Sequence, residues 1–113
     1  MHVCCFVCGK ILEIDIPNRK IYTCSDCSEI LNVLERVESE KFTKVLKDLS
    51  KAVGVYKAKE LLNRYLAYSI ALKLKKFDGV LKDVRRKDLY TYEVTFYRLE
   101  DLEEVVIPIA IFF

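Results

Sequence analysis

Hydrophobic side chains recur at helical spacing through the middle of the chain. The first run follows Ser28, a residue type that caps helices well, and carries an apolar stripe from Ile30 to Val37. A second run covers residues 39–53 and stops at Gly54, and a third covers residues 56–77. The spacing therefore predicts three consecutive helices.

Short apolar segments near the start of the chain predict strands instead. Residues 11–16 and residues 21–23 are separated by residues 17–20, Pro-Asn-Arg-Lys, which favour a turn. We therefore expect these two segments to pair as an amino-terminal hairpin.

The carboxyl-terminal part of the chain predicts a second hairpin. Residues 89–98 alternate between two faces, one of which holds four large side chains, Tyr90, Tyr92, Val94 and Phe96. An acidic turn follows, and residues 105–113 form an almost wholly apolar returning strand. Pro108 has no N–H to donate, so we expect this strand to lie at a sheet edge or to contain a bulge.

The third predicted helix is apolar over most of its circumference. Its large apolar residues are Leu61, Leu62, Tyr65, Leu66, Tyr68, Ile70, Leu72 and Leu74. A helix with this pattern has to be buried on several sides, and a 113-residue chain has little material to cover it. We therefore predict a homodimer whose interface includes this helix; a central core helix of a monomer is the alternative.

Two Cys-x2-Cys pairs stand near the amino terminus. Cys5 and Cys8 form one pair, Cys24 and Cys27 form the other, and Gly9 follows the first pair directly. Two tight turns of this kind bring four thiolates to one tetrahedral ion, and four thiolates leave no open position for catalysis. The spacing predicts one metal ion with a structural role.

These residues resemble a zinc ribbon, which implies that Cys5, Cys8, Cys24 and Cys27 hold one structural Zn²⁺ ion. A rubredoxin-type iron centre uses the same four sulfurs, and disulfide or redox pairs are further alternatives. The neighbouring Cys4 and the lone histidine, His2, lie close enough to serve as substitute ligands, although we expect neither to do so.

The predicted fold class is accordingly α+β. It consists of an N-terminal zinc-ribbon hairpin, a three-helix middle and a C-terminal β-hairpin. We divide the chain into a zinc-ribbon module, residues 1–28, and a helical domain with the hairpin, residues 29–113.

Positive charge is concentrated in the middle of the chain. The net charge is only +2, yet residues 41–88 contain fourteen basic and five acidic side chains, whereas both flanking segments are acidic. Such asymmetry indicates an anionic partner, and a solvated helical surface is the plainer interpretation.

Residues 49–55, Leu-Ser-Lys-Ala-Val-Gly-Val, and the helix after them resemble the helix-turn-helix of DNA-binding regulators. In that motif a small residue packs in the first helix, a glycine forms the turn and the second helix enters the major groove. Tyr56 departs from the usual capping residue. Helices followed by a hairpin also resemble a winged helix, although the hairpin tip is acidic.

The combination predicts a zinc-containing nucleic-acid-binding protein, related to transcription and acting on DNA. The predicted phosphate-contacting residues are Lys41, Lys44, Lys47, Lys51, Lys57, Lys59, Arg64, Arg85, Arg86 and Lys87. A protein–protein adaptor that uses the zinc ribbon as its docking surface is the alternative. The usual acid–base and nucleophilic constellations are missing, so we do not expect an enzyme.

The termini and the composition add three expectations. The start of the chain lacks a signal-peptide pattern, and the longest apolar stretch has nine residues against the roughly 20 that a membrane helix needs. We therefore expect a cytoplasmic protein without membrane contact. The absence of glutamine and the abundance of charged residues favour a thermophilic source.

Overall fold

A computed structural model describes residues 1–111, and it confirms the α+β class. The last two residues of the predicted final strand, 112–113, lie outside the described residues. The elements in chain order are β1 (His2–Cys4), β2 (Ile11–Glu13), α1 (Ser28–Glu35), α2 (Phe42–Val53), α3 (Val55–Leu74), β3 (Gly79–Arg86), β4 (Thr91–Arg98) and β5 (Glu104–Ala110).

An amino-terminal hairpin is present, but only one of its strands, β2, lies where the sequence predicted a strand. β2 pairs antiparallel with β1, with Val3 opposite Leu12, and residues 21–23 form no strand. The chain reverses at the first cysteine pair, where Cys5 N–H donates to the carbonyl of Lys10 at 2.7 Å. Because that tight turn precedes β2, the strand folds back onto the residues before it.

The three helices follow the predicted order with small shifts at their ends. α2 begins at Phe42 because Ser39 and Glu40 instead complete a turn that bonds to the carbonyl of Arg36. Gly54 alone connects α2 to α3, with φ +88° and ψ 162°, a conformation open almost only to glycine. The predicted break at Gly54 is therefore confirmed.

Most of α3 is covered within one chain. Its buried residues are Ala58, Leu61, Leu62, Tyr65, Ala67, Tyr68 and Ala71, which face α1, α2 and the carboxyl-terminal sheet. One stripe remains open to solvent and includes Tyr56, Lys59, Ile70 and Leu74. The monomer thus supplies more cover for α3 than the sequence suggested, and the homodimer stays a prediction.

The carboxyl-terminal hairpin is widened to three strands in the order β3-β4-β5, all antiparallel. The basic stretch after Gly79, which the sequence analysis did not assign to a strand, forms β3. Tyr92, Val94 and Phe96 are buried on one face as predicted, whereas Tyr90 precedes β4 and is exposed. Pro108 lies in the edge strand β5, which confirms the edge position inferred from the missing N–H.

The amino-terminal segment wraps around the β3 edge of this sheet. Leu81 N–H donates to the carbonyl of Lys20 at 2.9 Å, and Val80 packs in a small cluster with Val3 and Tyr22 of the amino-terminal segment. Because neighbouring side chains of a strand point to opposite faces, Val80 faces this segment while Leu81 belongs to the main core. The β5 edge has no such cover among residues 1–111.

No helix within those residues has the length and apolar character that crossing a membrane requires.

Candidate metal centre and basic surface

The four cysteines of the two Cys-x2-Cys pairs converge on one point. Their sulfur atoms all lie within 4.8 Å of one another. Cys24 Sγ is 3.8 Å from Cys5 Sγ and 3.8 Å from Cys8 Sγ. A tetrahedral ion bonded to sulfur at about 2.3 Å spaces its ligands about 3.8 Å apart. The arrangement therefore fits one tetrahedral metal ion bound by four sulfurs.

Backbone geometry builds the first pair of ligands. Gly9 N–H donates to the carbonyl of Cys5 at 3.0 Å, and this closes the turn that holds Cys5 and Cys8 side by side. Gly9 has φ +81°, a value that L side chains rarely adopt. The positive φ of this turn thus requires a glycine directly after the first cysteine pair.

The second pair lies on a single 3-10 turn, Ser25–Cys27, immediately before α1. Cys27 N–H donates to the carbonyl of Cys24 at 3.1 Å, and Cys27 then occupies the capping position of α1 that the sequence analysis gave to Ser28. Ser28 Oγ instead donates to the carbonyl of Ser25 at 3.2 Å. The positive end of the helix dipole therefore lies at the sulfurs, where it favours thiolates.

The thiols of the site influence one another strongly. Burial alone would raise the pKa of the Cys5 thiol, yet three backbone N–H groups donate hydrogen bonds to its sulfur and lower the pKa to about 6. One of these donors, the N–H of Cys24, lies 3.3 Å from Cys5 Sγ. Burial and the neighbouring thiols raise the pKa of Cys27. Four thiolates this close together need a cation to neutralise their charge.

Cys4 and His2 stand outside the sulfur cluster. The cluster contains Cys5, Cys8, Cys24 and Cys27 and excludes Cys4. His2 is exposed, and its backbone carbonyl accepts a hydrogen bond from Tyr97 Oη at 2.7 Å. Neither residue takes a place in the four-sulfur group.

The residues between Cys5 and Cys8 anchor the site in the main core, a role that the sequence analysis missed. Phe6 is 2% exposed and packs edge-on against Tyr65 and Tyr68 of α3, with ring centroids 6.0 and 6.1 Å away. Val7 is buried in the same core. The sequence did contain a signal for this role. Two apolar residues stand between the candidate metal ligands, and a turn that faces solvent would not need them.

The basic residues predicted to contact phosphate fall into three groups. Lys41, Lys44, Lys47 and Lys51 lie before or along the exposed side of α2, Lys57 and Lys59 lie at the start of α3, and Arg85, Arg86 and Lys87 lie at the β3–β4 turn. All nine of these side chains are exposed.

Arg64 differs from the other predicted basic residues. Its guanidinium carbon lies 5.3 Å from the centre of the Phe6 ring, and its Nε is buried without a hydrogen-bond partner among the described residues. Arg64 therefore packs against the first cysteine turn, away from Lys59 on the opposite side of α3.

Three of the exposed cations form ion pairs. Lys44 pairs with Glu40 at 3.1 Å, Arg85 with Asp83 at 2.8 Å and Arg86 with Glu60 at 3.0 Å. The other six form no ion pair with any residue of the described chain: Lys41, Lys47, Lys51, Lys57, Lys59 and Lys87. These six are the predicted phosphate-contacting residues whose charge no ion pair offsets among residues 1–111.

No protein-family model matches the chain, and neither a curated protein nor a solved structure matches it. Its function is therefore inferred from its own geometry.

Proposed function

We propose that the protein is a nucleic-acid-binding protein held together by one structural zinc ion. The observation that supports binding is the set of six unpaired lysines on α2, the start of α3 and the β3–β4 turn. Lysines in such a group neutralise phosphates and release counterions, which drives association with nucleic acid of any sequence. The cytoplasm is the proposed location.

We propose zinc as the metal, since it is the usual occupant of a structural site with four thiolates. The donor set consists of four thiolates, whose spacing suits a bond length of about 2.3 Å, and a closed shell of this kind holds structure without supplying chemistry. Iron bound to four thiolates is the competing occupant. Metal analysis of purified protein distinguishes the two, since the iron form is coloured and the zinc form is colourless.

The finer proposal is a DNA-binding regulator in which α2, Gly54 and α3 act as a helix-turn-helix. The exposed first turn of α3 supports this proposal, because Tyr56 and Lys57 protrude there. The one-residue connection at Gly54 is shorter than the usual turn of three or four residues. Base contacts would therefore come from the first turn of α3, where its side chains are free of the core.

A salt series tests the proposal. The affinity for a labelled DNA duplex is measured by fluorescence anisotropy for the wild type and for the triple variant Lys47→Ala, Lys51→Ala and Lys59→Ala. We expect the slope of log affinity against log salt to fall by about 1 for each lost phosphate contact. A slope that does not change in the variant would contradict the proposed surface.

A second triple variant provides the matched control. Lys10→Ala, Lys20→Ala and Lys76→Ala remove the same charge from exposed lysines elsewhere on the molecule. This control is expected to retain the slope of the wild type. An equal loss in both triple variants would indicate attraction by net charge alone.

The alternative is a protein–protein adaptor that docks through the metal-binding hairpin. Ile11 and Ile16 support it, because they are 68% and 79% exposed beside the cysteine turns. Absence of binding to duplex and single-stranded probes at low salt would favour the adaptor over the nucleic-acid-binding protein.

We also propose that the protein is a homodimer, with the carboxyl-terminal half of α3 in the interface. Ile70 and Leu74 are 41% and 59% exposed on the open stripe of that helix, and a second copy would cover them. Sedimentation of the wild type and of Ile70→Glu tests this proposal. A wild-type mass equal to one chain would contradict it.

A further inference from the structure

Two adjoining hollows lie over the exposed stripe of α3 and meet at Asn63. The first, between α2 and α3, is lined by Phe42, Leu46, Lys59 and Asn63. The second, between α3 and the β3–β4 turn, is lined by Asn63, Arg86, Leu89, Tyr90, Tyr92 and Ile111. We call this continuous surface the Asn63 groove.

Arg86 holds the β3–β4 turn, which forms one side of the groove, in place. Its guanidinium donates to Glu60 of α3 at 3.0 Å and to the carbonyls of Asp88 and Leu89 at 3.2 and 2.9 Å. Tyr92 Oη donates to the same Glu60 carboxylate at 3.2 Å. The β3–β4 turn is therefore held beside α3 before any ligand arrives, so a ligand does not have to order it.

Exposed aromatic rings surround the groove. Phe42 and Tyr90 line it, and Tyr56, Lys59 and Asn63 follow one another along one side of α3 at intervals of three and four residues. Tyr56 is 93% exposed. Four of the other tyrosines, Tyr22, Tyr65, Tyr68 and Tyr92, are buried, so an exposed ring is the exception among the tyrosines. Exposed apolar side chains that lie together, unlike single scattered ones, mark binding surfaces.

The charge at the groove is positive. Lys59 lines it, Lys57 follows Tyr56 at the start of α3, and Lys87 lies three residues before Tyr90; none of the three has an ion-pair partner within residues 1–111. The nearby acids are engaged: Glu60 accepts from Arg86, and Asp88 accepts from the N–H groups of Tyr90 and Thr91 at 3.0 and 2.9 Å. The groove thus combines aromatic faces with uncompensated cations.

We infer that the Asn63 groove binds single-stranded nucleic acid, with unpaired bases stacked on the exposed rings and the backbone held by the flanking lysines. This inference rests on the proposed function. In a duplex the base faces are already stacked, so duplex DNA could use the lysines but not the rings. Single strands offer both a π-face and a phosphate at every nucleotide.

Charge also argues against a second copy of the chain in the same groove. A two-fold interface places the same patch of both molecules face to face. Lys59 and its neighbouring cations would then face the equally basic patch of the second copy, and such like-charge contact is costly. The homodimer proposed above uses Ile70 and Leu74, beyond the groove.

The test compares a labelled oligothymidylate of about 15 nucleotides with a duplex of the same length. Binding is measured by anisotropy for the wild type, Tyr56→Ala and Tyr56→Phe. We expect the wild type to prefer the single strand, Tyr56→Ala to lose affinity for it about tenfold, and Tyr56→Phe to retain affinity because the ring remains. The test duplex has an arbitrary sequence and is held through its phosphates without base readout, so the affinity of Tyr56→Ala for it is expected to change little.

A control variant and a stability measurement complete the design. Ile16→Ala removes another highly exposed apolar side chain, far from the groove in sequence, and is expected to bind as the wild type does. Tyr56 makes no contact that folding requires, so Tyr56→Ala is expected to melt like the wild type.

The remaining outcomes overturn either the groove inference alone or the proposed nucleic-acid binding as well. Equal or stronger binding of the duplex, or an unchanged affinity in Tyr56→Ala, overturns the groove inference and leaves the proposed nucleic-acid binding intact. Binding to neither probe overturns both. A dimer that dissociates in Tyr56→Ala assigns the groove to a second copy of the chain and overturns the inference as well.

Discussion

At the scale of single residues, the choice of metal ligands follows from which thiols can reach a common point. Cys4 is adjacent to Cys5 in the chain, but successive side chains of an extended segment point in opposite directions, and the four-sulfur cluster excludes it. The Cys-x2-Cys spacing identified the cluster because a tight turn holds both sulfurs on one side. Nothing in the spacing alone could show that Phe6 would enter the core, since its partners Tyr65 and Tyr68 lie about sixty residues away.

Replacement of one ligand tests this assignment. We expect Cys24→Ser to reduce the bound metal from about one equivalent to near zero, because a hydroxyl is a far weaker ligand than a thiolate. Metal content is measured after dialysis. Cys4→Ser is the matched control and is expected to keep its metal; loss of metal in this control would bring Cys4 into the site.

Glu40 makes stability depend on pH. Hydrogen bonds from Arg36 and Lys44 lower the pKa of its carboxyl from 4.5 to about 2. The folded state therefore holds the carboxylate more firmly than the unfolded state does, so this stabilisation is complete above pH 4.5 and is lost as the pH falls towards 2. We expect the gap in unfolding free energy between the wild type and Glu40→Gln to narrow over that interval.

Chemical denaturation at several pH values measures this gap. Acid protonates the clustered thiolates of the wild type and of Glu40→Gln alike. The difference in unfolding free energy between the two proteins therefore reports on Glu40. In an Arg36→Ala background the gap is expected to lose most of its pH dependence, because the main hydrogen-bond donor is gone. A gap in the wild-type background that is the same at pH 3 and pH 7 would refute the pairing.

At the scale of secondary-structure elements, Gly54 sets the angle between α2 and α3. Its φ of +88° with ψ of 162° lies in a region that a Cβ atom disfavours strongly. We expect Gly54→Ala to lower the free energy of unfolding by about 1–3 kcal/mol, measured by guanidinium denaturation. Thr43→Ala, on the exposed side of α2, is expected to change it by less than about 0.5 kcal/mol.

The helices and the strands β4 and β5 could be predicted closely, but β1 and β3 could not. Each helix repeats its apolar positions within a few turns, so its pattern is complete in the local sequence. β3 begins with apolar residues and ends with Arg85 and Arg86, and its alternation is interrupted by a bulge between Leu81 and Asp83. A bulge shifts the side chains that follow it to the other face, which hides the period of two.

Strand partners depend on contacts that no local pattern contains. Residues 11–16 were expected to pair forward with residues 21–23, and instead β2 pairs backward with β1. The turn at Cys5 and Gly9 decided between the two pairings, because it reverses the chain before β2 begins.

At the scale of the whole molecule, the metal centre and the helices share one hydrophobic core. Cys5, Phe6, Val7 and Cys27 belong to the same cluster as the buried face of α3. Residues 1–28 thus contribute to the same core as the helices and the sheet, so loss of a bound metal ion is expected to remove support from the whole core. The ion is expected to act as a ligand of the folded state alone.

Removal of the metal tests this coupling. We expect a strong chelator to lower the unfolding midpoint and to leave a single cooperative transition, followed both by circular dichroism and by tyrosine fluorescence. Re-addition of the metal should restore the midpoint. Two separate transitions, of which only the first responds to the metal, would show that residues 1–28 fold as an independent unit.

The amino-acid sequence was sufficient for the α+β class, the helix order and the four cysteines that cluster, and it narrowed the place of Pro108 to an edge or a bulge, because each depends on spacing or on the chemistry of neighbouring residues. It could not specify that the segment around Lys20 covers one sheet edge, that Arg64 packs on Phe6, or that Lys59 and Asn63 border an open groove. Those features depend on which distant surfaces meet, and that depends on how all elements pack into one core at once.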